Sequence, residues 1–190
     1  MGPPAEPALP PSLPLVDEER VAAEAGEAMV DVVDRDDRVI GTATRAQMRA
    51  EGLRHRAVYV VVRTTDDRIV VHRRAEWKDV YPGAWDLCFG GVLDAGEAWD
   101  AAAARELAEE AGIDAPLRPL GSGTYDEDGA ALNGRFYVCT HDGPYPCPDG
   151  EVVEVRTVPR TELATFLDAH PHCPDSAALV LPLLLEPIGT

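Results

Sequence analysis

Short apolar runs separated by turn residues set the reading of this chain. Residues 29–34 (MVDVVD) alternate apolar and polar side chains and predict a strand; Asp36-Asp37 makes a turn, and 39–41 return as a short strand. Thr44 stands where an N-cap belongs, ahead of a helix over 45–51 that Gly52 ends. Residues 57–63 (AVYVVVR) are almost wholly apolar, which predicts a central strand buried on both faces. A turn over 64–67 and a return over 68–73 (RIVVHR) make it a β-hairpin. After the Pro82-Gly83 turn, strands are predicted over 84–89, 117–124, 131–140 and 152–158, with a turn at 126–129 and a proline-rich loop over 141–150. Helical patterns cover 98–111, 161–169 and 176–185, the last capped by Asp175 and bent at Pro182. This order predicts an α/β fold with a mixed sheet between helical layers.

Composition adds boundaries. Six prolines in residues 1–16 predict a disordered or polyproline-like extension, with the tail taken as 1–24 and a single domain over 25–190. The formal net charge of −17 argues against a nucleic-acid backbone or an anionic membrane as partner. It also means that an anionic substrate needs bound cations to reverse the local field. Cys88, Cys139, Cys147 and Cys173 form no C-x-x-C pair and no disulfide framework. No apolar run is long enough to span a membrane and no leader pattern opens the chain, so a cytoplasmic protein is expected. A homodimer is the commonest assembly for such a chain.

The chemistry concentrates in residues 91–113 (GVLDAGEAWDAAAARELAEEAGI). On a regular helix Glu106, Glu109 and Glu110 fall at i, i+3 and i+4, so their carboxylates share one face. Like charges there repel, and a hard divalent cation with oxygen ligands is the natural compensation; a solvated acidic face is the plain alternative. Arg105 lies eight residues after Glu97 and four before Glu109, within reach of either. The spacing of Gly91, Glu97, Arg105, Glu106, Glu109, Glu110, Gly112 and the aliphatic Leu107 and Ile113 resembles the signature box of the Nudix hydrolases, G-x5-E-x7-R-E-U-x-E-E-x-G-U with U aliphatic, at every defined position.

The resemblance implies an α/β/α sandwich with the box as a loop–helix–loop beside the sheet. It implies water attack on a phosphorus of a small-molecule diphosphate, assisted by Mg²⁺ or Mn²⁺. Glu106, Glu109, Glu110 and the Gly91 carbonyl are the implied metal ligands, with Glu109 or Glu110 also catalytic; Glu97 and Arg105 orient them. Many family members keep their base outside the box, and Glu151 and Glu154 are the candidates here. Arg73 and Arg74 are candidates to clamp phosphate oxygens, and Trp77 and Trp85 to stack on a base or fill the core.

Residues 53–57 and 82–85 also look like the type I isopentenyl-diphosphate isomerases, which share that fold, and 30–56 like a bacterial Nudix subgroup near them. His55 matches one metal histidine of those isomerases. Their reactive cysteine falls at Gly90, with Cys88 two residues away, and their later acid near Asn133-Gly134. An isomerase-like enzyme and an idle diphosphate-binding module are the alternatives to hydrolysis.

Overall fold

The computed structural model describes residues 26–127 and 129–185, so the extension expected over 1–24 lies outside the described residues. β1 (Met29–Val33) and β2 (Val39–Thr44) pair antiparallel as a small separate sheet. Thr44 then caps α1 (Arg45–Glu51): its Oγ1 accepts the Gln47 N–H at 3.1 Å, and its own N–H donates to Gln47 Oε1 at 3.1 Å. Gly52 stops the helix in the left-handed region at φ 60°, which favours glycine.

The main sheet holds β3 (His55–Arg63), β4 (Arg68–Arg74), β5 (Trp85–Asp86), β6 (Arg118–Glu127), β7 (Ala130–Thr140) and β8 (Val152–Pro159). Its order is β5-β4-β3-β7-β6, with β8 on β4. It is mixed, because β3 runs parallel to β7 from His55↔Leu132 to Arg63↔Thr140. The expected β3–β4 hairpin is present but short. The two strands pair only at Arg63↔Ile69 and then part. Residues 89–92 enter the gap instead, with Val60 and Phe89 exchanging backbone bonds of 2.7 and 3.0 Å and Val58 N–H donating to the Gly91 carbonyl at 3.0 Å. That wedge carries Gly91, the first residue of the box, onto the edge of β3.

Alternation along β3 separates two cores. Tyr59 and Val61 face Ile69, Phe136 and Val138 on the side covered by α3 (Leu163–Asp168) and α4 (Pro174–Leu185), through Leu163, Leu167, Val180 and Leu184. Val58, Val60 and Val62 face Ala102, Ala103, Leu107 and Ala111 of the box helix. The result is the expected α/β/α sandwich. Helix α4 starts at Pro174 and continues through Pro182. Among the described residues no helix is long and apolar enough to cross a membrane.

The box helix differs from the regular helix expected over 98–111. It is α-helical over α2 (Trp99–Glu106) and widens to a π-helical turn over Leu107–Ala111, ended by Gly112 at φ 70°. Widening by one residue changes which side chains share a face. Glu106 and Glu110 turn inward, at 8% and 3% exposure, while Glu109 stays out. The three carboxylates line one cavity, two of them buried and one exposed.

Candidate active site

The box closes on itself through Arg105. Its Nε and Nη2 donate to the two oxygens of Glu97 at 2.9 and 2.8 Å, a bidentate pair. Its Nη1 reaches Glu106 Oε1 at 2.8 Å and Glu109 Oε2 at 3.0 Å. Glu97 is held in turn by the Asp94 N–H at 3.0 Å. One guanidinium thus orients three glutamates, and its bonds to Glu97 keep that carboxyl below the usual range.

Glu110 lies beyond this cation. Its Oε2 accepts the Gly90 N–H at 2.8 Å. Burial, then the neighbouring Glu106, drives its carboxyl well above the usual carboxylate range, with Lys78 and Arg74 pulling the other way. Burial also raises Glu106, against the pull of Arg105. Gly91 leaves room for this carboxylate: a Cβ there would come within 2.7 Å of Glu106 Oε1 and make it shift. Its carbonyl already accepts from Val58, leaving one lone pair for a further partner.

Gly91, Arg105, Glu106, Glu109 and Glu110 line a cavity of about 1050 Å³. Glu97 supports it from behind. Of the outer candidates, Arg74 and Glu151 line the cavity, and Arg73 and Glu154 do not. Neighbours on a strand face opposite ways, and Arg73 turns to Glu154 at 3.4 Å and Glu76 at 3.5 Å. Glu154 is shared with Arg156, at 2.7 Å. Glu151 is ion-paired with Lys78. Trp85 is core, edge-on to Phe166 at 5.1 Å, and Trp77 lies against Lys78 outside the lining.

Sequence reasoning missed Arg45, Arg49, Lys78 and Asp149 in the lining. Burial pushes Asp149 up to about 6, with the Glu151 carboxylate adding to the rise and the Glu151 N–H bond opposing it. No fixed spacing marks these residues. The one available signal was that Lys78 is the only lysine in the chain.

The donor set suits a hard cation: glutamate oxygens, two of them buried and mutually repulsive. Among the described residues no three His, Cys, Asp or Glu side chains are gathered tightly enough to hold one as they stand. Arg105 occupies one oxygen each of Glu106 and Glu109. The isomerase likeness fails on geometry. A Cβ at Gly90 would collide with the Val58 carbonyl oxygen, so that backbone accepts no cysteine at the position where the isomerases carry theirs.

A mixed sheet between helical layers, with a glutamate-bearing helix facing a deep cavity, defines the class of fold and site. Residues 53–179 match the NUDIX domain family model, and the chain belongs to the Nudix hydrolases. It is 39% identical over 159 residues to the uncharacterized Nudix hydrolase PA4841 of Pseudomonas aeruginosa, across 83% of this chain and 92% of that one. It is 37% identical over 145 residues to the uncharacterized Nudix hydrolase YfcD of Escherichia coli K12, across 76% of this chain and 81% of that one. These relatives lend no support to an isomerase-like subgroup. Among solved structures, DR0079 of Deinococcus radiodurans shares the fold with a TM-score of 0.70 at 22% identity, over 82% of this chain and 96% of that one. The NUDIX domain of Shewanella oneidensis NrtR, solved with ADP ribose, does so with a TM-score of 0.56 at 18% identity, over 74% and 96%.

Proposed function

We propose that the protein hydrolyses a diphosphate linkage in a small metabolite by water attack on phosphorus, with Mg²⁺ or Mn²⁺ held by Glu106, Glu109, Glu110 and the Gly91 carbonyl. The observation that carries this is Glu110: a carboxylate 3% exposed, beside a second buried glutamate, at the wall of a cavity also lined by Arg74 and Lys78. When bound, the cation neutralises phosphate oxygens and lowers the pKa of a water.

The chain's own residues do the rest. Arg105 fixes Glu97, Glu106 and Glu109 relative to one another. Arg74, whose Nε donates to the Val80 carbonyl at 3.1 Å, and Lys78 supply positive charge for the substrate phosphates in an acidic protein. Glu151 is the candidate to take the proton from water. Lys78 holds it in place, and a phosphate arriving at Lys78 competes for that cation and frees the carboxylate. All four cysteines are free and buried, in keeping with the reducing cytoplasm expected for this chain.

Phosphate release from a panel of diphosphates tests the reading. Turnover by wild type with Mg²⁺ that Glu110→Gln lowers at least 100-fold supports it; equal turnover by both proteins refutes the site.

A further inference from the structure

One edge of the main sheet is open. β6 ends the strand order and, among the described residues, pairs with β7 alone. An antiparallel neighbour takes the backbone groups of every second residue, so the alternate N–H and C=O groups of β6 face outward. Its ten residues make that edge about 33 Å long. Open edges recruit other strands, and proteins block them with charge, proline, bulges or a covering element. β6 carries such blocks only toward its ends: Pro119 and the bulge between Pro119 and Gly121 at one, Asp126 and Glu127 at the other. Between them Gly121, Ser122, Gly123 and Thr124 are small and uncharged, and three of the four are exposed.

Helix α4 supplies an independent observation. Residues 176–185 (SAALVLPLLL) are apolar all round after Ser176. Such a helix belongs in an interior. Only one side of it is buried, through Ser176, Val180 and Leu184. Ala178, Pro182 and Leu185, spaced i, i+4 and i+7, are exposed, Leu185 at 53%. The helix lies over the open strand: Leu183 and Leu179 stand 3.4 and 3.1 Å from where a Cβ on Gly121 and on Gly123 would be. The apolar helix and the open backbone edge therefore border one another.

Charge selects the occupant. Residues 119–125 and 176–185 contain no Asp, Glu, Lys or Arg, in a chain with 27% charged residues and a net charge of −17. Two copies of so acidic a molecule repel over most of their surfaces and least here. A two-fold axis normal to the sheet sets β6 antiparallel to its own copy and brings α4 beside α4 on the same face of the joined sheet. A partner for this face must offer a strand edge and an apolar helix at matching spacing, and a second copy does so by symmetry.

We propose that this face joins two copies of the chain, with β6 pairing to β6 to continue the sheet and the exposed side of α4 packing on its counterpart. None of residues 118–127 or 176–185 lines the cavity, so the proposal is independent of the hydrolytic reading.

Sedimentation equilibrium of the full chain tests it, with Leu185→Glu and Ser122→Asp. Leu185 is exposed, and Ser122 lies opposite Arg135 in the β6–β7 register, so an aspartate there has a cation beside it. The two variants lie on different elements, so one that fails to fold leaves the other to decide. Wild type is expected at twice the chain mass of 20.4 kDa, and each variant to weaken the dimer at least tenfold with unchanged far-ultraviolet circular dichroism. Hydrogen exchange adds a local readout: the amides of residues 121–125 should exchange more slowly in the wild-type dimer than in Leu185→Glu. A wild type that sediments as a single chain overturns the proposal, and slow exchange of those amides in such a monomer assigns the edge to another part of the same chain. A dimer that neither variant weakens uses a different face and overturns it as well.

Discussion

Arg105 is the residue on which the geometry of the site turns. It binds Glu97 with two parallel bonds and reaches Glu106 and Glu109 with its remaining nitrogen, a fork that lysine cannot reproduce. Arg105→Lys keeps the charge and loses the orientation, so kcat/KM is expected to fall 10- to 100-fold while the far-ultraviolet circular dichroism stays unchanged. His72 makes the second prediction at this scale. It is 1% exposed, stacks on Phe89 at 4.5 Å, and neither ring nitrogen has a partner among the described residues. Burial lowers it from 6.5 to about 4, with Arg74 and Lys78 adding to the fall and Asp86 and Glu151 opposing it. The unfolded chain therefore takes up a proton below pH 6.5 that the folded chain refuses until about pH 4. Stability is fully present above 6.5 and is lost as pH falls through that window, by about 3 kcal/mol at most. Urea unfolding at pH 7 and pH 5 should show wild type losing about 2 kcal/mol more than His72→Phe; the difference between the two proteins removes the contribution of other groups, such as Asp149, which titrate in the opposite sense.

At the scale of elements, local signals were legible where they were self-contained. The cap, helix and stop at Thr44, 45–51 and Gly52 were all readable, because each acts within a few residues. Thr44→Ala should lower stability by about 1 kcal/mol in thermal unfolding. The box was readable for the same reason: its residues lie in one stretch and its spacing is fixed. Pairing between distant segments was not. β3 and β4 pair as a hairpin only at their joined ends, while β3 spends its length on β7 and yields the rest of its other edge to residues 89–92. Nor does residue order reveal the π-helical turn that sends Glu110 inward and leaves Glu109 out. Arg73 and Arg74 were equivalent in sequence; the strand's alternation sends one to Glu154 and the other to the cavity. Gly90 makes the wedge testable. Gly90→Cys places a Cβ against the Val58 carbonyl oxygen, and is expected to lower the melting temperature by several degrees and create no isomerase activity.

For the whole molecule, a net charge of −17 and the proposed anionic substrate are reconciled at the cavity. There Arg45, Arg49, Arg74 and Lys78 face the buried glutamates across the cavity, and a bound cation adds to their field. A ligand that binds the folded chain alone raises its stability by mass action. The most direct measurement is therefore a thermal melt of wild type and Glu110→Gln with and without Mg²⁺, paired with phosphate release from a diphosphate panel. Mg²⁺ should raise the wild-type melting temperature and leave Glu110→Gln unmoved, and only wild type should release phosphate from a cleaved substrate. An equal shift in both proteins, or equal turnover by both, would contradict a metal centre built on the inward-turned glutamates.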